Sequence, residues 1–309
     1  MDDIHFGNRQ TVENPVDIPK AHEPLIISVT PAGEFYGLHK DSPDLRYQNS
    51  SLPRGLVFMA NYREFDNKQE LKTRRGSEKD VENLTLLFNG MGYKIPRQHI
   101  NMTRSETTAA IKHFKKDPEL KNVDSCIVII MSHGCDEKSF YTKDHETMQI
   151  DDIVRKFSNS YCPVLIGKPK IFIFQYCRGK LEDTGVVNHV QSVVNNMPQQ
   201  NKMQIETDAA SADVTGVNRD ASYTDMFIIF STIEGFVSFR HPEHGSWLIE
   251  SICDIFMKNA FEMNLNDLMM MVSQKVRNKY KENGKMQVCE RVMRGFDRHF
   301  YFNPRPLRD

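Results

Sequence analysis

The stretch that most constrains the fold is residues 168–180, with the sequence KPKIFIFQYCRGK. Four apolar residues follow Lys-Pro-Lys, and the run ends in Gln-Tyr-Cys-Arg-Gly before the last lysine. A short apolar run bounded by Pro and Gly is typical of a strand that is buried on both faces of a parallel sheet. In open α/β sheets, chemistry takes place beyond the carboxyl ends of such strands. The stretch therefore predicts Cys177 at the functional edge of a sheet.

A second apolar strand, residues 126–131, ends in Ser132, His133 and Gly134. An imidazole close to a thiol can take its proton and make the sulfur a nucleophile. Because Gly134 has no Cβ, its N–H can approach a substrate carbonyl and form an oxyanion hole with the N–H of Cys177. A buried cysteine on its own is more often a small hydrophobic residue. The presence of both the Cys177 thiol and the His133 imidazole at the ends of two strands favours a catalytic role over a structural one.

The composition argues against several classes of protein. A net charge of −1 over 309 residues gives no electrostatic basis for binding nucleic acid or an anionic membrane. The apolar runs are too short to cross a bilayer, and the polar first ten residues do not resemble a signal peptide. Six cysteines without CxxC spacing indicate reduced thiols and a cytoplasmic protein.

The order of the predicted elements indicates one α/β domain with a long insertion. Residues 1–52 are rich in Pro, Asp, Asn and Ser and are predicted to be a flexible leader. Ser77, with Asp80 three residues later, is predicted to cap a helix. Residues 180–224 are polar and predict a linker or functional loop. The remaining predicted elements are strands at 55–60, 126–131, 170–175, 226–230 and 296–302, helices at 77–90, 103–116, 247–257 and 265–280, and an amphipathic turn at 150–157.

Five motifs in order resemble those of the caspase family, over residues 53–303. The segment Gln175-Tyr-Cys-Arg-Gly179 is similar to the Gln-Ala-Cys-x-Gly signature of that family, with His133 lying 44 positions before Cys177. The other motifs are Arg74-Arg-Gly-Ser-Glu-Lys-Asp80, Ser132-His133-Gly134, Ser238-Phe239-Arg240 with Gly245-Ser246-Trp247, and Phe300-Tyr301-Phe302.

The resemblance implies a caspase–hemoglobinase fold, an α/β domain whose central, mostly parallel six-stranded sheet is flanked by helices. It divides the chain into a short pro-region at 1–52, a large catalytic subunit at 53–208 and a small subunit at 209–309. It also implies a homodimer of large and small subunit pairs, with residues 286–295 at the dimer edge. Inhibitor-of-apoptosis proteins are implied as further partners.

The resemblance also implies a cysteine endopeptidase that cleaves proteins after Asp, with Glu as a second choice, in programmed cell death. Arg74, Gln175 and Arg240 match the positions that hold the acidic side chain. A carboxylate in a closed pocket needs such cationic, preferably bidentate, partners. The remaining groove positions of the family correspond to Ser238, Phe239 and Trp247.

Tyr176 stands where most caspases have Ala. Neighbouring side chains of a strand point in opposite directions, so Tyr176 is expected to alter packing beneath the site and not the pair of Cys177 and His133. This bulky residue, the Lys-Pro-Lys at 168–170 and the Tyr-Phe-Asn-Pro end at 301–304 resemble the apical caspases of insects. The leader is too short for the recruitment domain of apical caspases, which leaves apical and executioner roles open.

Asp208 is the predicted processing site between the two subunits. It lies in the polar linker, follows Ile-Glu-Thr and precedes Ala209. The peptidase is therefore expected to be a zymogen that is cut by itself or by a partner. The competing sites are Asp183, Asp213, Asp220 and Asp225.

Two other classes of protein are the alternatives. A non-catalytic caspase-like decoy would pair with an active caspase, but the intact Cys177, His133 and pocket arginines oppose it. A metacaspase or paracaspase cleaves after basic residues and would need acidic groups where Arg74 and Arg240 occur. His133, Cys135 and Cys177 do not complete a four-ligand zinc pattern, so the sequence predicts no metal and no cofactor.

Overall fold

A six-stranded sheet organises the computed structural model, which describes residues 24–33, 45–185, 221–279 and 284–305. The last strand is antiparallel to its neighbour, and the other pairings in the sheet are parallel. The predicted α/β fold with a mostly parallel sheet is thereby confirmed. From one edge to the other, the strands are β12 (Glu290–Arg294), β8 (Met226–Phe230), β6 (Lys170–Gln175), β3 (Ser125–Met131), β1 (Gly55–Asn61) and β2 (Gln98–Ile100), numbered in chain order.

The strand β1 shows how the sheet produces a core on each face. All seven of its residues are buried. Val57 and Met59 belong to one hydrophobic cluster, and Leu56 and Phe58 belong to the other. Successive side chains of a strand point to opposite faces, so a continuous apolar run is stable only when both faces are covered.

Helices cover both faces of the sheet. The cluster around Val57 contains side chains from α1 (Ser77–Gly90), α4 (Trp247–Asn259) and α5 (Leu265–Asn278). The cluster around Phe58 contains side chains from α2 (Arg104–Phe114) and α3 (Ile150–Lys156). Among the residues described, no helix is both long enough and apolar enough to cross a membrane.

Short strands beyond the main sheet were not predicted from the sequence. The pairs are β4 (Ser139–Tyr141) with β5 (Thr147–Gln149), β7 (Gly179–Leu181) with β9 (Gly235–Phe236), and β10 (Arg240–His241) with β11 (Gly245–Ser246). Strands of two or three residues are too short to show a hydrophobic period. The β7–β9 pair joins the segment after Cys177 to the segment before Ser238, so it positions two parts of the site relative to each other.

The predicted Ser77 cap is wrong. Gly76 is the N-cap of α1, with φ of 89° and no side chain of its own to form a cap, and its backbone nitrogen donates to Oε2 of Glu78 at 3.0 Å. The Ser77 hydroxyl is buried and accepts a hydrogen bond from Nδ2 of Asn61 at 3.1 Å, so it is engaged away from the helix end. The helix α2 does have a capping box, formed by Thr103 and Glu106.

Two predictions for the ends of the chain fail in part. Within the leader, the buried Tyr47 donates to Oδ1 of Asp225 at 3.0 Å, and Asn49 donates to the carbonyl of Tyr301 at 2.9 Å. Residues 45–52 are therefore anchored in the domain and are not a flexible leader.

Residues 296–302 make only isolated bridges where a strand was predicted. Phe300 and Phe302 are buried in the helix-covered core, so their alternation reflects packing and not sheet pairing.

A central and an edge isoleucine should differ in their contribution to stability. Ile129 is buried in β3 and pairs in register with Met59 and Ile173. We expect Ile129→Ala to lower the free energy of unfolding by about 2–5 kcal/mol in urea denaturation. Ile100 on the edge strand is 47% exposed, so Ile100→Ala should cost less than about 1 kcal/mol. Equal losses in both variants would contradict this sheet.

Candidate active site

Cys177 lies two residues beyond β6 and is partly buried. Because β6 is paired with β3 on one side and β8 on the other, the position of its end is determined from both sides. The Cys177 sulfur lies 3.3 Å from the backbone nitrogen of Ser238 and 3.6 Å from the Ser238 carbonyl oxygen. The structure thus brings together two of the predicted site residues.

His133 follows β3 and lies at the same sheet edge. Its Nε2 is 2.7 Å from the carbonyl oxygen of Lys72. A carbonyl can only accept, so Nε2 carries the proton and Nδ1 of the neutral ring keeps its lone pair. Burial lowers the pKa of His133 to about 4, and the positive charges of Arg74 and Arg240 also lower it. The ring is therefore neutral near pH 7 and can accept a proton at Nδ1.

The side chains of His133 and Cys177 are bonded to different partners. The imidazole bonds to Lys72 and the sulfur contacts Ser238, and no hydrogen bond joins the two side chains within the described part of the chain. Their backbones are nevertheless adjacent, because a Cβ placed on Gly134 would lie 1.7 Å from the carbonyl oxygen of Cys177. The sequence predicted their proximity, and Lys72 was not predicted as a partner.

At Gly134 the backbone N–H points away from the neighbouring strand, and there is no room for a side chain. Its bridge with Phe140 is flanked by two hydrogen bonds, from Cys135 N to Ser139 O at 3.0 Å and from Tyr141 N to His133 O at 2.9 Å. In such an antiparallel pair the N–H of the central residue points away from the partner strand. The close approach of Cys177 explains why this position excludes a side chain.

Arg74 is completely buried just before α1. Its Nη1 donates to Oδ1 of Asn61 at 2.9 Å and to the carbonyl of Tyr62 at 3.0 Å. Its Nε and Nη2 are also buried and have no hydrogen-bond partner among the described residues. Burial, followed by the positive charge of Arg240, lowers the pKa of Arg74 to about 9. Unused buried donors are costly, so this guanidinium is suited to receive an anion.

Gln175 and Arg240 lie near the same group of residues as Arg74 and Cys177. The buried Gln175 donates from Nε2 to Oγ of Ser238 at 2.7 Å, and its Oε1 has no partner in the described structure. Arg240 donates from Nε to the carbonyl of Arg75 at 2.9 Å, and burial lowers the pKa of Arg240. The charge of Cys177 acts on the pKa of both Arg74 and Arg240. The thiol and the two arginines therefore share one electrostatic environment.

Asp80 balances the two arginines, a role that the sequence analysis missed. Its carboxylate is buried and accepts hydrogen bonds from the backbone nitrogen of Ser246 at 2.7 Å and the Ser246 hydroxyl at 2.6 Å. Burial raises the pKa of Asp80 to about 6, while Arg74 and Arg240 lower it. Asp80 stands on the buried side of α1 with Val81. An acidic residue on an apolar stripe was the signal that could have revealed it.

The predicted groove residues Phe239 and Trp247 are in contact. Their ring centroids are 4.9 Å apart, and the Trp247 backbone nitrogen donates to the Phe239 carbonyl at 3.1 Å. The Phe239 backbone nitrogen donates to Oε1 of the buried Gln287 at 2.7 Å, and Nε2 of Gln287 donates to the Ser231 carbonyl at 2.7 Å. Gln287 supports the groove segment from a distant part of the chain, which no local sequence pattern indicated.

Tyr176 is buried beneath the site. Its hydroxyl donates to the carbonyl of Glu137 at 3.1 Å, and its ring lies 6.5 Å from the ring of Phe230. The ring also approaches Gly134, since a Cβ there would be 3.0 Å from Cδ2 of Tyr176. The side chain thus packs under Gly134, away from the groove residue Ser238.

The predicted processing site, Asp208, lies outside the described residues. The competing Asp225 is buried and accepts a hydrogen bond from Tyr47. Asp183 forms an isolated bridge with Met286. Both of these competitors are engaged in the folded domain.

Comparison with known proteins defines the class to which this fold and site belong. The Peptidase_C14 family, described as the caspase domain, matches residues 54–299. The chain belongs to the caspase family. The crystal structure of caspase-1 from Spodoptera frugiperda has the same fold, with a TM-score of 0.68 and 22% sequence identity. The match covers 90% of this chain and 97% of that chain.

Two curated relatives test the predicted likeness to the apical caspases of insects. Caspase-2 of Gallus gallus is 29% identical over 79% of this chain and 55% of its own length. Caspase Dronc of Drosophila melanogaster is 25% identical over 82% of this chain and 57% of its own length. The chain thus spans little more than half the length of these relatives. Because the insect apical caspase is not the more similar of the two, the predicted likeness to that subgroup is only weakly supported.

The environment of His133 predicts an unusual titration. We expect one imidazole signal to stay neutral down to about pH 5, because burial and two arginines lower its pKa from the ordinary 6.5 to about 4. Histidine NMR signals of the Cys177→Ala protein between pH 4.5 and 8 would show it, with Trp247 fluorescence as a check for unfolding. The signal should be missing in the additional variant His133→Asn. A His133 signal that titrates at pH 6 or above would disprove this environment.

Proposed function

We propose that the chain is a cysteine endopeptidase that cleaves proteins after Asp, with Cys177 as the nucleophile and His133 as the base. The observation that carries the proposal is the buried Arg74, whose Nε and Nη2 have no partner in the part of the chain that the structure describes and whose pKa is influenced by the charge of Cys177. Such a group requires an anion, and a thiol beside it can attack the adjacent carbonyl. Membership of the caspase family supports both assignments.

The reaction begins with a proton transfer. Because Nε2 of His133 donates to Lys72, Nδ1 is the nitrogen that takes the thiol proton once substrate draws the two side chains together. The thiolate adds to the scissile carbonyl carbon, and the N–H groups of Gly134 and Cys177 stabilise the oxyanion. His133 then protonates the leaving amine, and water hydrolyses the thioester.

The pocket proposed for the Asp side chain combines Arg74, Arg240 and Gln175. A carboxylate only accepts hydrogen bonds, so the Gln175 amide must present Nε2 to it. Rotating the amide by a half turn achieves this, because the Ser238 hydroxyl can donate to Oε1 as well as accept from Nε2. Asp80 keeps the two arginines close to each other by offsetting their positive charge. Ser238 and Phe239 bind the substrate backbone and the P2 side chain, and Trp247 forms the wall of the P4 pocket.

Assembly and activation follow the division into subunits at 53–208 and 209–309, with residues 1–52 as the pro-region. Within the described part of the chain, the edge strand β12 has no neighbour on its outer side in the sheet, and an open strand edge favours symmetric pairing. Met293 on this strand is 54% exposed, so we propose a homodimer through this edge. We place the enzyme in the cytoplasm, in programmed cell death, with inhibitor-of-apoptosis proteins as partners.

Peptide cleavage should depend on the thiol, the imidazole and an acidic P1 residue. Wild type is expected to cleave fluorogenic tetrapeptides with Asp at P1, less readily with Glu, and not with Arg. Cys177→Ala should abolish cleavage, and His133→Ala should reduce kcat by roughly 10²–10⁴-fold. His113→Ala, at an exposed histidine of α2, is the matched control. Cleavage by the Cys177→Ala protein would refute the assignment, and a folded wild type without activity would favour the decoy.

Arg240 should determine the preference for an acidic P1 residue. Arg240→Ala leaves the substrate carboxylate partly unpaired, so kcat/KM for the Asp substrate should fall. The fall should correspond to a loss of roughly 3–5 kcal/mol of transition-state stabilisation. The neighbouring Arg75→Ala is the control, because the Arg75 side chain is exposed and only its backbone carbonyl bonds to Arg240. Near-normal turnover in Arg240→Ala would exclude this pocket.

Cleavage after Asp208 should activate the enzyme. A continuous linker restricts the loops that close the groove, and cutting it increases the conformations that they can reach. Purified wild type should therefore appear as fragments of 208 and 101 residues before any trimming of the pro-region, whereas Cys177→Ala should stay whole. Asp208→Ala should stay whole or be cut at Asp213 or Asp220, which N-terminal sequencing distinguishes. A fully active, uncut chain would refute this activation.

A further inference from the structure

The tip of the β10–β11 hairpin carries a cluster of three metal-ligand side chains. One donor atom from each of His241, Glu243 and His244 lies within 4.8 Å of the other two. No other group of three His, Cys, Asp or Glu residues converges in this way in the described parts of the chain, the set of His133, Cys135 and Cys177 included. The cluster lies between Arg240 and Trp247 in the chain and includes neither Cys177 nor His133.

The two imidazoles are held side by side. Their ring centroids are 4.6 Å apart, with an angle of 28° between the ring planes. The backbone nitrogen of Glu243 donates to Nδ1 of His241 at 3.1 Å, which fixes the turn between the rings. His241 and Glu243 are exposed, and His244 is partly buried, so an ion can reach them from solvent.

The hairpin is anchored on both of its strands before any ion binds. On the first strand, the His241 carbonyl packs on Gly76, where a Cβ would lie 2.3 Å from it. On the second strand, Ser246 is bonded twice to the buried Asp80. Because the backbone is already ordered, an ion has to order only three side chains, which lowers the cost of binding.

The donor set matches a particular class of ion. Two imidazoles and one carboxylate form the three-ligand set of open zinc sites, in which water takes the fourth position. A cavity of about 250 Å³ adjoins Glu243 and His244. Its lining adds Glu82 and Glu250 and, as the one Lys or Arg among its described residues, Lys79. Glu82 is paired with Lys79 and Glu250 with Lys279, both at 2.9 Å, so the preference for a cation rests on the donor atoms of His241, Glu243 and His244.

We propose that His241, Glu243 and His244 bind one divalent transition metal ion, Zn²⁺ foremost, at the hairpin tip. A neutral histidine coordinates through one nitrogen and keeps its proton on the other. An ion at Nδ1 of His241 would replace the hydrogen bond from Glu243, whereas an ion at Nε2 would require the proton to move to Nδ1. The inference is independent of the proposed peptidase activity, since none of the three residues has a role in it.

The experiment uses the full chain with Cys177→Ala, which removes the thiol that could itself take Zn²⁺. Isothermal titration calorimetry with Zn²⁺ should show one ion bound at a site that the double variant His241→Asn, His244→Asn weakens at least tenfold. Glu243→Gln should weaken it less, because two ligands remain. His113→Asn, at an exposed histidine of α2, should leave the affinity unchanged. Unchanged Zn²⁺ affinity in the double variant would overturn the proposal.

A second readout locates the ion. Trp247 is the only tryptophan and follows His244 by three residues, so a nearby Co²⁺ ion should quench its fluorescence in a saturable, single-site manner. The double variant should lose this quenching while keeping its unfolding temperature, since the His241 side chain is exposed and that of His244 is only partly buried. Equal quenching in the double variant, or none in the parent at Co²⁺ concentrations that saturate calorimetric binding, would place the ion elsewhere and refute the hairpin site.

Discussion

The pairing of β6 between β3 and β8 is the constraint on which the rest of the molecule depends. The strand is buried along its whole length, and its register with both neighbours leaves no freedom at its carboxyl end. Gln175 and Cys177 are therefore delivered to a fixed edge, and His133 reaches the same edge from β3. A strand displaced by one residue would exchange the faces of all its side chains, so the site is as well defined as the core.

The site itself is organised by buried positive charge. Arg74 is enclosed completely, and Arg240 lies close enough to lower its pKa. Asp80 compensates by carrying a carboxylate into the same region. The same arrangement lowers the pKa of His133. The proposed recognition of an acidic substrate and the protonation state of the proposed base therefore depend on the same two arginines.

Asp80 also connects the site to the hairpin tip. Its bonds to Ser246 anchor the strand that follows the cluster of His241, Glu243 and His244, while the strand that precedes the cluster begins with Arg240. The same carboxylate that offsets the arginines thus orders the turn on which the proposed metal ligands stand. This explains how exposed side chains on a short loop come to have a defined geometry.

The sequence by itself predicted the four central strands, β1, β3, β6 and β8, and the residues at their ends, but not the edge strands β2 and β12. Apolar runs such as 126–131 and 170–175 can be stable only when buried on both faces, and that condition already implies a parallel sheet with Cys177 and His133 at one edge. The resemblance to the caspase motifs added Arg74 and Arg240. The apolar runs are local in the chain, so periodicity reveals them.

Only the tertiary structure decided the contacts between distant segments. Gln287 supports Phe239 through one hydrogen bond, and Asp80 binds Ser246 through two. Each pair is far apart in the chain, and a single polar residue leaves no periodic trace in the sequence. The predicted Ser77 cap of α1 was wrong because Asn61, 16 residues earlier in the chain, donates a hydrogen bond to the Ser77 hydroxyl. The tail containing Phe300 was mistaken for a strand because alternating aromatic residues satisfy helix-covered packing as well as a sheet, and only the folded neighbours distinguish the two.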